Sequence, residues 1–139
     1  MTACIDTNVL SALLGAEQGA HAISSTLNTL RRAGPLVIYG SVYAELLAAP
    51  GNSQSHLEAF LKRGQVSVDW DTSEAIWQMS GRAYSAYARR RARSGGGQPR
   101  RILADFLIGA HALSLGASLV TLDDTHYRSA YPTLPLVTP

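Results

Sequence analysis

The chain has 139 residues, 46% apolar and 16% charged, with a net charge of +2, a balance that suits one domain with one core, over residues 1–139, and excludes an intrinsically disordered chain. No apolar run approaches the roughly 20 residues of a membrane span, and the N-terminus has neither the basic segment nor the long apolar core of a secretory signal. Cys4 is the only cysteine, which excludes an intrachain disulfide and makes the reducing cytoplasm the expected location.

Residues 2–5 read as a short buried strand that stops at Asp6. A short helix through Val9, Leu10, Leu13 and Leu14 follows, ending near Gly15. "AHAISSTLNTLRRAG" has helical spacing at Ile23, Leu27 and Leu30, and Gly34-Pro35 stops it. "LVIYG" is a second strand; Ser41 then caps a helix carrying Val42, Glu45 and Leu46, which Pro50-Gly51 ends. "SQSHLEAFLKRG" is a helix closed by Gly64, and "VSVDW" a strand. A long helix over 72–94 starts at Thr72 or Ser73, with Ile76, Met79, Ala83 and Tyr87 as its core stripe.

Arg82, Arg89, Arg90, Arg91, Arg93, Arg100 and Arg101 fall in one window without Asp or Glu, and Lys62 is the only lysine. Arginine suits bidentate phosphate contacts, so this window is a candidate nucleic-acid surface; a solvated helix face is the competing reading. "GGGQP" is a loop. "RRILADFLIGAHALSLG" is a helix with Leu103, Phe106, Leu107, Ala110 and Leu113 on one side. "ASLVTLD" is a strand, and "PLVTP" supplies a last short one. Strands alternating with helices predict a mostly parallel sheet covered on both faces, a three-layer α/β/α sandwich.

Four acids sit in apolar surroundings: Asp6 and Asp123 at strand ends, Glu45 and Asp105 in the helices that follow. Ligands of open α/β sheets bind beyond the carboxyl ends of the strands, so the four are expected to meet at one rim. Local alternatives exist for each. Asp6 is good N-cap chemistry, Glu45 suits a surface Arg pair, Asp105 suits a first helical turn, and Asp124 competes with Asp123. Two carboxylates about 4 Å apart repel by roughly 4 kcal/mol at an effective dielectric of 20. No Lys or His adjoins them in sequence, so a hard divalent cation, Mg²⁺ or Mn²⁺, is the expected neutraliser. Such a cluster suits phosphodiester hydrolysis by metal-activated water. There is no zinc-type Cys/His spacing, nucleophile elbow or phosphate-binding GxxxxGK[ST] loop. His111 and His126 read as structural or surface residues, and Tyr84 with Tyr87 as core rather than a base-stacking platform.

"IDTNVLSALL", "SVYAELLAAP", "RRILADFLIGAHAL" and "LVTLDDTHY", in this order and across essentially the whole chain, resemble the PIN-domain family, specifically the VapC-type ribonuclease toxins of bacterial toxin–antitoxin modules. The resemblance implies a metal-dependent endoribonuclease whose acids, here Asp6, Glu45, Asp105 and Asp123, gather one or two Mg²⁺ or Mn²⁺ ions. It selects Asp123 over Asp124 and gives Asn8 and Thr121 supporting places. It also implies a VapB-like antitoxin, whose helix lies in an apolar groove between the N-terminal helices, and a homodimer. With the Arg window read as RNA-guiding, Arg89, Arg90, Arg91, Arg93, Arg100 and Arg101 are the expected contacts to single-stranded RNA. Two rivals are a catalytically inactive binding module of the same fold and a receiver-like phosphoacceptor module, which would need a lysine near the acids.

Overall fold

The computed structural model describes all 139 residues. The elements run β1 (Ala3–Ile5), α1 (Thr7–Leu14), α2 (Ala20–Ala33), β2 (Leu36–Tyr39), α3 (Gly40–Ala48), α4 (Gln54–Arg63), β3 (Val66–Asp69), α5 (Glu74–Arg93), α6 (Leu103–Ser114), β4 (Ser118–Val120), α7 (Asp124–Ala130) and β5 (Leu136–Val137). The five strands form one sheet in the order β3-β2-β1-β4-β5, and every pairing is parallel. The expected α/β/α architecture is therefore present, with a wholly rather than mostly parallel sheet. Chain direction across the sheet reverses between β3 and β4, so right-handed crossovers put α1–α4 on one face and α5–α7 on the other. The reversal point is β1, flanked by β2 and β4, and ligand clefts of such sheets open there.

β1 and β4 are buried at every position, as all-parallel strands covered on both faces must be. α6 is buried without interruption from Phe106 to Ala112, so it lies within the core rather than on it. Its Gly109 is required by packing: a β-carbon there would collide with the Tyr131 ring.

Local expectations and structure differ in three places. Ser41 does not cap α3. The helix begins one residue earlier at Gly40 after an extended Tyr39, and Ser41 Oγ is buried without a partner. At α5 the cap is Ser73, one of the two residues expected, whose Oγ accepts from the Ile76 amide; Thr72 accepts from the Tyr39 hydroxyl. α6 starts at Leu103, leaving Arg100, Arg101 and Ile102 in the loop, and Leu103 is exposed rather than core. The stretch after Asp123, without an expected element, forms α7, whose His126 and Tyr127 are buried.

Candidate active site

β1 and β4 stop together, Ile5 opposite Val120; the Asp6 amide makes a last bond to Val120 O at 2.9 Å, and its side chain caps α1. Asp6 Oδ1 accepts from the Thr7 amide at 2.7 Å, and Oδ2 accepts from the Thr121 hydroxyl at 2.8 Å. The cap reading and the rim reading of Asp6 are thus both right, since α1 starts at the same rim. Glu45 projects from the second turn of α3, where its Oε1 accepts from the Thr7 hydroxyl at 2.8 Å. Asp105, in the first turn of α6, accepts from the Ile102 amide at 2.9 Å. Asp123 follows β4, its amide donating to Thr121 Oγ1 at 3.0 Å.

Asp6, Glu45, Asp105 and Asp123 line one pocket of about 270 Å³, together with Thr7, Asn8, Ser11, Ile108 and Tyr127. Arg101 and His126 complete its wall. Asp124 turns away to pair with exposed Arg128 at 3.0 Å, which resolves the competition between the adjacent acids. Asn8 stands beside the acids and fixes the β4–α7 turn, its Oδ1 accepting from the Leu122 amide at 3.2 Å. Thr121 couples two acids at once, donating to Asp6 and accepting from Asp123.

Burial pushes the Asp6 carboxyl above its ordinary range. The Thr121 and Tyr127 hydroxyls and the Thr7 amide pull it down, and the charge of Asp105 pushes it up again. Glu45 is raised by burial and by Asp105 and Asp6, against the Thr7 hydroxyl. The compensating charge among the protein groups is Arg101, whose Nη1 lies 2.6 Å from Asp123 Oδ2. One guanidinium against four carboxylates leaves the pocket strongly anionic.

The donor set fits a hard divalent cation: it is all oxygen and anionic. Glu45, Asp105 and Asp123 each commit only one oxygen to a protein donor. As placed, no three of the acidic, histidine or cysteine groups converge tightly enough to enclose one ion; Asp123 is paired with Arg101 and Asp105 accepts from the Ile102 amide.

The Arg window divides. Arg90, Arg91 and Arg101 border a cavity next to the acids. Arg82 and Arg89 lie with Gln78 and Ser85 on another face of α5. Arg93 and Arg100 are exposed. Tyr84 stacks on Phe106 at 4.7 Å and its hydroxyl donates to Arg101 O. Tyr87 accepts from the Arg100 and Arg101 amides, so both tyrosines serve the packing that positions Arg101.

Thr7, Arg101's place beside Asp123 and His126 are the parts of the site that local sequence did not reveal. His126 lines the pocket, and its Nε2 lies 3.0 Å from Asp105 O. The one signal for Thr7 is its place between Asp6 and Asn8. Lys62 is exposed in the last turn of α4 and borders no part of the pocket, so the lysine of a receiver-like site is not among the pocket's residues.

The family model described as PIN domain matches residues 3–130. Among solved structures, the chain is similar to VapBC2 from Rickettsia felis, crystallised with a DNA fragment from its promoter (22% identity, 99% of this chain and 98% of that one, TM-score 0.74). It is also similar to VapBC-1 from nontypeable Haemophilus influenzae (22% identity, 99% and 98% covered, TM-score 0.71). A third is a toxin–antitoxin complex from Klebsiella pneumoniae (18% identity, 99% and 97% covered, TM-score 0.64). No curated protein matches the chain. At these identities the structural likeness shows the shared fold.

Proposed function

The chain belongs to the PIN-domain family, and from that premise we propose that it is a Mg²⁺- or Mn²⁺-dependent endoribonuclease toxin of the VapC type, acting as a single domain over residues 1–139 in the cytoplasm. The observation that carries this reading is the single pocket shared by Asp6, Glu45, Asp105 and Asp123. These four residues would hold the cation, which when bound supplies a water of lowered pKa and positive charge beside the phosphate.

The chain's own groups do the rest. Asp6 is fixed on both oxygens by Thr7 and Thr121, so its orientation costs nothing at the moment of reaction. Burial raises the Asp6 and Glu45 carboxyls, and a nearby positive charge would lower them again. Ile108 and Tyr127 give the pocket its apolar wall. Arg101, beside Asp123 at that mouth, is placed to meet a phosphate oxygen.

Asp6→Asn and Asp105→Asn are expected to lower RNA cleavage by about 100-fold or more, the upper end of what losing a supporting partner costs, with folding preserved. Cleavage of total RNA by wild type, abolished by EDTA and by Asp6→Asn, is the test. Undiminished cleavage by Asp6→Asn overturns the site; RNA binding without cleavage favours an inactive binding module.

An antitoxin is the proposed protein partner, by analogy with the toxin–antitoxin complexes of like fold. A groove of about 340 Å³ among α1, α2 and α4, floored by Leu10, Leu13, Leu27 and Phe60 and rimmed by Arg31 and Arg63, suits the apolar face of a helix with acidic flanks. A homodimer belongs to the same proposal, and light scattering on the purified protein checks it.

A further inference from the structure

Beside the acidic pocket lies a second cavity of about 360 Å³, a size typical of small-ligand sites. Arg90, Arg91 and Arg101 give it its charge, and the hydroxyls of Ser94, Thr125 and Ser129 complete its polar lining. No carboxylate lines it. Arg101 and His126 also line the acidic pocket, so the two cavities share a wall and differ in sign across it.

The basic cavity is preformed. Arg91 Nη2 donates to the Gly96 and Gln98 carbonyls, which holds the guanidinium against the loop between α5 and α6. A β-carbon on Gly96 would collide with that guanidinium, and Gly95 and Gly97 both take left-handed backbone at φ +72°. The glycine run is therefore a seat for Arg91. Arg91 Nε is buried there with no acceptor, a donor left unmet by the protein. Arg90, one residue earlier, makes no ion pair with any carboxylate.

A cation held by the acids would meet only the phosphate being cleaved, so the rest of the strand is left for a flanking site of positive charge to hold. We propose that the Arg90–Arg91–Arg101 cavity is a phosphate subsite, seating the backbone phosphate of a nucleotide next to the one cleaved in single-stranded RNA. This rests on the ribonuclease reading above. Arg101, at the shared wall, links the seated phosphate to the acids. Arg82 and Arg89, on another face of α5, take no part despite their identical charge.

The test is fluorescence anisotropy with a short labelled single-stranded oligoribonucleotide in Mg²⁺, in the Asp6→Asn background so that the probe survives. Arg90→Gln, and Ser129→Asp on exposed α7, are each expected to weaken binding on the order of 10-fold. Arg90→Gln should also lower the slope of log affinity against log salt by about 0.7, the value of one single-strand phosphate contact. Arg82→Gln with Arg89→Gln should change affinity less than about twofold, although more charge is removed. Equal losses from both sets would mean a diffuse basic field and overturn the subsite, as would binding that neither Arg90→Gln nor Ser129→Asp weakens. If the Asp6→Asn protein and wild type in EDTA both fail to bind the RNA, the subsite and the ribonuclease reading fall together. Circular dichroism of each variant, with Ser129→Asp as the second route, keeps a folding defect from being read as lost binding.

Discussion

At the scale of single residues, the site is built from acids that each serve a local structure as well as the pocket. Asp6 caps α1, Asp105 accepts from the amide that precedes α6, and Asp123 stands at the N-cap of α7. Thr121 is the residue on which two of them depend. Replacing it with Val keeps the shape, removes the donor to Asp6 Oδ2 and removes the acceptor of the Asp123 amide. Thr121→Val is expected to weaken Mn²⁺ binding and cleavage by about 10- to 100-fold, measurable by calorimetric titration of Mn²⁺. Asp124→Asn, which loses only the exposed Arg128 pair, should leave both nearly unchanged, because such pairs contribute about 0–1 kcal/mol. The four acids were legible in sequence because a carboxylate in an apolar run needs a reason. Thr7 and His126 were not, because an ordinary Thr or His acquires its role only from a partner 38 residues away in one case and 21 in the other.

At the scale of elements, α6 carries the most consequence. It is buried along its middle, and its His111 pins it to the carboxyl ends of β2 and β3. The imidazole stacks on Tyr39 at 4.3 Å and its Nε2 lies 2.9 Å from Asp69 Oδ2. Burial lowers the His111 pKa and outweighs the opposing pull of Asp69, while the hydrogen bond from His111 holds Asp69 below the usual carboxylate range. The consistent arrangement is a neutral imidazole donating Nε2–H to an ionised Asp69, with Nδ1 facing the Cys4 thiol at 3.9 Å. Gly109→Ala would drive a methyl into the Tyr131 ring and is expected to cost about 1–3 kcal/mol, the usual range for overpacking, seen as a lowered Tm. α7 escaped the sequence reading because a helix of 7 residues has too few turns to show a period. It holds its form by burying His126 and Tyr127 against the rest of the fold rather than by propensity. The long α5, by contrast, announced itself through its cap and its stripe.

At the scale of the whole molecule, two sets of groups tie stability to pH with opposite signs. Asp6 and Glu45 are raised above 3.8 and 4.5, so the folded state binds more protons than the unfolded one above those values. Their contribution is fully present at low pH and is lost as pH rises through the raised values. His111 is lowered from 6.5, so its contribution is present above 6.5 and lost as pH falls below it. In metal-free protein, the Tm of Asp6→Asn relative to wild type should therefore climb as pH rises above 3.8, by calorimetry. A constant difference would mean that Asp6 titrates normally. Adding Mg²⁺ or Mn²⁺ should raise the wild-type Tm at neutral pH, by about 2.7 kcal/mol of stability at 100 times the Kd. The rise should shrink as pH falls, because protons then compete for Asp6 and Glu45, and should be much smaller in Asp6→Asn.

The alternation of strands and helices, the parallel sheet and the four acids at its rim are all readable from the order of residues. These follow from short-range features: apolar period, caps, glycine stops and carboxylates in apolar runs. It takes the folded chain to bring Arg101 out of its expected helix to face Asp123, to part Arg90 and Arg91 from Arg82 and Arg89, and to join Thr7 and His126 to the acids. The reason is physical. Helix caps and apolar periods are settled within a few residues, whereas the sign and shape of a cavity are set by side chains that meet only when the strand order turns back about β1 in the parallel sheet.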